Sequence, residues 1–193
     1  MLSYEESLKI LKETNALLEG HFILSSGLHS RSYIQCAKLL SFPEKAQSIC
    51  NSLSQKINEE INDIDLILSP AMGGIIIGYE VGKILKKETI FAERVNGIFN
   101  LRRGFNIEKK NKVLIVEDVI TTGKSSLECS SLVEKFGGDV IGYACIIDRS
   151  NNQSKLKKKI ISQIKFNIPT YSEANLPKDL KDIPIEKPGS RGL

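Results

Sequence analysis

The chain has 193 residues, of which 41% are hydrophobic and 26% charged, enough for one soluble domain with a sizeable core. Its net charge of +4 is too small to argue for nucleic acid, and no apolar run could span a bilayer, so neither nucleic acid nor membrane is expected as a partner. The first residues, Met1-Leu2-Ser3-Tyr4-Glu5-Glu6, lack a basic segment leading into an apolar one. The four cysteines, Cys36, Cys50, Cys129 and Cys145, form no C-x-x-C, so a cytoplasmic protein with reduced thiols is expected.

Apolar residues at helical spacing (Leu8, Leu11, Leu17, Leu18) predict a helix over 3–18, closed by Gly20. Short strand-like pieces follow in 21–36, around Ser26 to Ser30. Ser41-Phe42-Pro43-Glu44 reads as a capping box with Pro inside it, opening a helix that runs to about Glu60. Next come a strand at 65–69, a loop at 70–74, a helix over 75–86 and a strand at 89–95. Residues 96–111 are polar, basic and glycine-containing, and predict a mobile loop or hairpin. A strand at 113–118 and a helix over 124–136, ended by Gly137-Gly138, precede a strand at 140–148. Strands alternating with helices imply an α/β fold, a mostly parallel sheet flanked by helices. The tail from Pro169 is turn-rich and too short for a second domain, so residues 1–193 read as one domain.

The chemistry concentrates at 113–126, V-L-I-V-E-D-V-I-T-T-G-K-S-S. An apolar run meets two adjacent carboxylates, Glu117 and Asp118. Val119 and Ile120 then lead into a hydroxyl-rich turn, Thr121-Thr122-Gly123-Lys124-Ser125. Carboxylates can accept hydrogen bonds from ribose hydroxyls, and such a turn offers backbone N–H groups to a phosphate at a helix N-terminus. Ligands of open α/β sheets bind there, outside the carboxyl ends of the strands. Gly123-Lys124-Ser125 also matches the tail of a nucleotide P-loop, but that motif needs Gly where Asp118 stands. His21 and His29 have no Cys or acid cluster beside them, so a zinc site is not expected. The lysines of 109–112 and 155–159 read as solvated surface.

The 113–126 segment resembles the 5-phosphoribosyl diphosphate (PRPP) signature of the type I phosphoribosyltransferases, and the whole chain resembles the orotate phosphoribosyltransferases among them. Gly20 to Gly27, with His29-Ser30, is similar to the family's N-terminal hood over the base. Pro70-Ala71-Met72-Gly73-Gly74 is similar to its diphosphate loop. Phe91-Ala92-Glu93-Arg94, leading to Leu101-Arg102-Arg103-Gly104-Phe105, resembles the strand and catalytic loop of one bacterial branch. Asp148-Arg149 and the ending Lys187-Pro188-Gly189-Ser190-Arg191 also match. The chain departs from many members at Ser25, where they carry Lys, at Met72-Gly73, where others carry Tyr-Lys, and in a loop rich in Arg rather than Lys and His.

The resemblance implies a type I phosphoribosyltransferase fold with a small hood, about 1–40 together with the C-terminal tail. It implies transfer of the phosphoribosyl group from PRPP to orotate with Mg²⁺, giving orotidine 5′-monophosphate and diphosphate in UMP synthesis. PRPP would meet Glu117, Asp118, Val119, Ile120, Thr121, Thr122, Gly123, Lys124 and Ser125, with Lys124 turned either to phosphate or to solvent. Orotate would meet Thr121 and Arg149. Asp118, Arg94 and Arg102 would be the catalytic groups, with Arg103 a further loop cation. No side chain is assigned as a dedicated metal ligand. Loop cations shared across subunits imply a homodimer. A purine or uracil phosphoribosyltransferase, or a PRPP-sensing regulator, remains the alternative.

Overall fold

The computed structural model describes residues 1–24, 26–151 and 153–188. Helix α1 (Tyr4–Glu13) opens with a complete capping box. The Ser3 hydroxyl accepts from the Glu6 N–H, and the Glu6 carboxylate accepts from the Ser3 N–H. The helix stops well short of the expected residue 18. The Thr14 hydroxyl donates back to the Ile10 carbonyl, and Asn15 turns the chain in the left-handed region at φ 53°. Leu17, Leu18 and Gly20 therefore lie in strand β1 (Leu17–Ile23), not in a helix. Leucines at helical spacing are also consistent with a strand, and antiparallel pairing with β2 (His29–Ile34) decides the outcome.

A short helix that the sequence reading missed, α2 (Cys36–Leu40), comes next. The capping box expected at 41–44 does not form. Ser41 donates to the Lys38 carbonyl, behind α2, and Phe42 is the residue that precedes α3 (Pro43–Glu60), with Pro43 in its first turn. There follow β3 (Leu66–Pro70), α4 (Gly73–Leu85), β4 (Glu88–Val95) and β5 (Ile98–Leu101). Asn96 and Gly97, both at positive φ, make the two-residue turn between β4 and β5, so 96–101 is a hairpin. Strand β6 (Lys112–Ile120) carries the acidic pair. Helix α5 (Lys124–Phe136) is ended by Gly137 at φ 84°, and β7 (Asp139–Asp148) follows.

Three more strands were not expected: β8 (Ile160–Lys165), β9 (Thr170–Tyr171) and β10 (Ile185–Glu186). A short helix, α6 (Lys178–Lys181), lies between the last two. The larger sheet runs β5-β4-β3-β6-β7-β8, parallel except for β5. The smaller runs β10-β1-β2-β9. The turn-rich tail thus completes this small sheet on both edges. It is tied there by Arg31 paired with Asp179 and by a buried histidine pair. His21 Nε2 and His29 Nδ1 stand 2.7 Å apart, and His21 Nδ1 is 3.2 Å from the Ile183 carbonyl. A carbonyl only accepts, so His21 Nδ1 donates to Ile183.

The two faces of β6 explain the core. Leu114 and Val116 pack with Ile49, Leu53 and Ile57 of α3 and Ile77 and Val81 of α4, in a cluster that reaches Ala16 and Leu17. Val113 and Ile115 pack on the other face with Cys129, Leu132 and Val133 of α5. A strand covered on both faces reads as a continuous apolar run, which is how 113–116 reads. Truncating such a fully buried aliphatic side chain to Ala costs about 2–5 kcal/mol. The same alternation sends Glu117 toward α5 and Asp118 toward α4.

Candidate active site

Glu117 and Asp118 end the buried part of β6, on opposite faces. Glu117 is 7% exposed, and its Oε2 accepts a 2.5 Å hydrogen bond from the Ser126 hydroxyl in the first turn of α5. Burial pushes its carboxyl up to about 7, against the Ser126 hydrogen bond, which holds it down. Asp118 faces the start of α4. A Cβ built on Gly73 would lie 2.9 Å from both carboxylate oxygens, so the 70–74 loop closes directly over this acid. Burial also raises the Asp118 carboxyl, and backbone N–H groups oppose the rise.

Gly123 precedes α5 at φ 74°, and no side chain caps this helix. Of its first N–H groups, which lack intrahelical partners in any helix, that of Lys124 donates to the Thr122 hydroxyl at 3.3 Å, and the turn presents the others at the helix N-terminus, where an anion is favoured. Thr121 and Thr122 are exposed and Ser125 half-buried beside them. The Lys124 side chain is 79% exposed and its Nζ stands 4.0 Å from Glu128, a position in solvent rather than in the turn. Val119 and Ile120 follow the acidic pair on β6. Their side chains join the cores on the two faces of the sheet, and the Ile120 carbonyl accepts from the Arg149 N–H at 2.8 Å.

Thr121, Thr122, Lys124, Leu127 and Arg149 line one cavity of about 550 Å³. The structure therefore brings the hydroxyl turn and Arg149 to a common space. Arg149 follows a buried Asp148, whose carboxylate accepts from the Ser150 N–H at 2.8 Å and shapes the turn. Among the described residues, Arg149 Nε is buried without a hydrogen-bond partner, and burial lowers the guanidinium pKa. A desolvated cation with an unpaired donor is costly unless an anionic or carbonyl ligand completes it.

The three arginines of the loop region differ. Arg94 lies 2.5 Å from Glu128, donates to the Gly97 carbonyl at 2.6 Å, and stacks 4.0 Å over Phe99. Its charge is engaged on the α5 face, near Glu117. Arg103 donates twice to Glu93, at 2.9 and 3.0 Å. Arg102 is exposed and, among the described residues, forms no ion pair. Sequence reasoning missed Ser126 and Glu128, which hold Glu117 and Arg94. Their helix was expected, but which of its faces meets β6 was not. Ser25 and the 189–191 part of the ending lie outside the described residues.

A β-strand ending in carboxylates, the N-terminus of α5 and a half-buried cation thus meet at the carboxyl end of the larger sheet. A family model described as a phosphoribosyl transferase domain matches residues 43–175, which span every strand of the larger sheet. The chain belongs to the phosphoribosyltransferase family. The match to a narrower group reaches the small sheet as well. The chain is 47% identical over 188 residues to an orotate phosphoribosyltransferase of Erythrobacter litoralis (strain HTCC2594), covering 97% of both chains. It is 46% identical over 193 residues to that of Parvibaculum lavamentivorans, covering all of both. The crystal structure of the orotate phosphoribosyltransferase of Aeropyrum pernix has the same fold. It gives a TM-score of 0.68 at 23% identity, over 82% of this chain and 93% of that one.

Proposed function

We infer that the protein transfers the 5-phosphoribosyl group from PRPP to orotate, releasing diphosphate and giving orotidine 5′-monophosphate for UMP synthesis. The observation that carries this reading is the full-length similarity, through both the PRPP turn and the small sheet, to orotate phosphoribosyltransferases. Arg149, half-buried and with its Nε buried and, among the described residues, unpaired, lines the cavity that holds Thr121 and supports the choice of an anionic base.

In the proposed mechanism the N–H groups of the Thr121–Ser125 turn bind the 5′-phosphate, with the hydroxyls of Thr121, Thr122 and Ser125. Asp118 and Glu117 accept hydrogen bonds from the ribose hydroxyls. Their negative charge suits the positive charge that grows on the ribose ring as the bond to diphosphate breaks. The Gly73 end of the 70–74 loop brings diphosphate beside Asp118. Arg149 meets the orotate carboxylate or a ring carbonyl through two N–H groups. Asp118, the carboxylate under the 70–74 loop, is a hard-oxygen donor that would suit Mg²⁺, which usually takes one or two carboxylates plus substrate phosphates. An ion held there would supply neutralisation of the charge on the leaving diphosphate. Arg102 closes over the site, and Arg94, held by Glu128, adds positive potential behind Glu117.

The protein is proposed to act as a cytoplasmic homodimer in which loop cations serve the neighbouring subunit. A row of exposed apolar residues along α4, Met72, Ile76 and Tyr79, supports such a pairing, since monomers seldom leave such rows in water. Four free, buried cysteines support a reducing compartment. A shared core, running from Leu17 of the small sheet to α3 and α4, supports a single domain with the small sheet as its hood.

The test is the loss of orotate absorbance with purified protein, PRPP and Mg²⁺, with adenine, hypoxanthine and uracil in parallel. Turnover of orotate alone is expected. Turnover of another base would overturn the reading of Arg149. PRPP binding without any turnover would turn the protein into a PRPP sensor.

A further inference from the structure

The run Lys155 to Lys159 reads as solvated surface, yet its one apolar residue, Leu156, is turned inward and partly buried against the core on the α5 face of the sheet. What it covers there is the hydroxyl-rich turn. Thr121, Thr122 and Lys124 are exposed, whereas Gly123 between them is buried. A Cβ built on Gly123 would lie 3.0 Å from Leu156 Cγ, 3.1 Å from Cδ1 and 3.4 Å from Cδ2. Apart from the glycine's own neighbours in the chain, these are the three nearest atoms. At φ 74° the glycine also has a backbone conformation that other residues adopt only with strain.

We propose that Leu156 is a positioning residue for the transfer reaction: seated on Gly123, it fixes the turn that receives the 5′-phosphate and joins that turn to the loop carrying Arg149. The proposal rests on the reading of the site as a PRPP site. The loop from Arg149 to Leu156 is tied to the acidic motif at both ends. At its start the Arg149 N–H donates to the Ile120 carbonyl at 2.8 Å, and the Ser150 N–H donates to the Asp148 carboxylate. The Gln153 N–H then donates to the Ser150 carbonyl at 2.8 Å, which closes a turn. At its end Leu156 rests on Gly123. The cavity between carries Arg149 and Lys155 on the loop side and Thr121, Thr122 and Lys124 on the turn side. Among the described residues that line it there is no carboxylate, as suits an anionic ligand. A turn of exposed hydroxyl residues has few buried apolar contacts of its own, and such segments open locally with ease. The contact with Leu156 supplies one and preorganises the turn, so that binding the phosphate does not also have to order it. An apolar side chain serves because Gly123 offers it only backbone and no polar partner.

The test compares Leu156→Ala with Val140→Ala in the full-length protein. Val140 is partly buried in the same cluster but pairs with Val113, at the end of β6 away from the turn. Titration calorimetry with PRPP and Mg²⁺ should show binding weakened by up to about tenfold in Leu156→Ala, the worth of ordering one or two more groups on binding. The orotate KM at saturating PRPP stays near its wild-type value, because Arg149 keeps its own tie to Ile120. Val140→Ala binds PRPP as the wild type does, and Leu156→Met, which keeps the volume, restores binding. Leu156→Val shortens the contact and serves if the alanine variant does not fold. Wild-type PRPP affinity in the folded Leu156 variants would overturn the proposal. Equal weakening in Val140→Ala would overturn the positioning role and leave Leu156 as packing. Amide hydrogen exchange in the unliganded protein reads the anchor without any substrate: residues 121–125 should exchange faster in Leu156→Ala and not in Val140→Ala. A wild-type protein that binds no PRPP would sink the functional reading instead, and unchanged exchange in Leu156→Ala would overturn the anchor itself.

Discussion

Gly73 and Asp118 lie so close that a methyl group on Gly73 would stand 2.9 Å from both oxygens of the Asp118 carboxylate. The loop proposed to hold diphosphate and the acid proposed to hold ribose are therefore one contact surface, built from α4 and β6. Gly73→Ala is expected to displace the carboxylate rather than unfold the chain, since the far end of a side chain can move. A displacement of about 1 Å can cost about 100-fold in rate, so kcat should fall by about 10- to 100-fold with Tm nearly unchanged. Wild-type kcat in this variant would show that the contact is not needed in turnover.

Asp118→Asn keeps the shape of that contact and removes its charge. Turnover is expected to drop strongly while the thermal unfolding midpoint holds or rises, because burial disfavours the charged carboxylate. Steady-state rates with calorimetry check both halves. A variant that turns over normally would remove Asp118 from the reaction.

The folded-state carboxyl of Glu117 sits at about 7 against an ordinary 4.5. Between these values the folded chain binds more protons than the unfolded one. The stability this group contributes is therefore full below pH 4.5 and is lost as pH rises through 7. Glu117→Gln does not titrate. Its stability relative to wild type should rise by on the order of 3 kcal/mol between pH 4.5 and pH 8.5, measured by denaturant unfolding. Parallel stability curves for the two proteins would place Glu117 at an ordinary pKa.

Arg149→Ala should raise the orotate KM far more than the PRPP KM. Arg149→Lys should recover little, because a single ammonium cannot reproduce a two-pronged contact. Equal effects on both substrates would place Arg149 at the phosphate rather than the base.

Arg102→Ala and Asp118→Asn should each be nearly inactive alone. Mixed and reassembled, they should recover about a quarter of wild-type activity, because half the dimers are then mixed and each mixed dimer carries one intact site. Arg103→Ala, which only frees Glu93, should cost much less than Arg102→Ala. No recovery on mixing would mean that each subunit closes its own loop.

The local signals carried far along this chain. The apolar run 113–116 placed a buried strand, the hydroxyl turn placed the helix start at Lys124, and Gly137 marked its end at Phe136, each because the cue lies within a few residues of its effect. The order of strands and helices implied the parallel sheet. Local reasoning failed where pairing partners are distant in sequence. Leu17 and Leu18 looked helical until β2 paired with them, and a two-residue strand such as Ile185–Glu186 exists only because β1 lies beside it.

The amino-acid sequence by itself determined the acidic pair, the hydroxyl-rich turn and Arg149 as candidates, because the chemistry of each is written in its own side chains and neighbours. Only the tertiary structure decided that Glu117 and Asp118 point to opposite helices, that Ser126 holds one and Gly73 crowds the other, and that Arg94 is engaged by Glu128 while Arg102 is not. Those facts depend on which helix covers which face of the sheet. That choice comes from packing whole apolar faces together, and no short stretch of sequence encodes it.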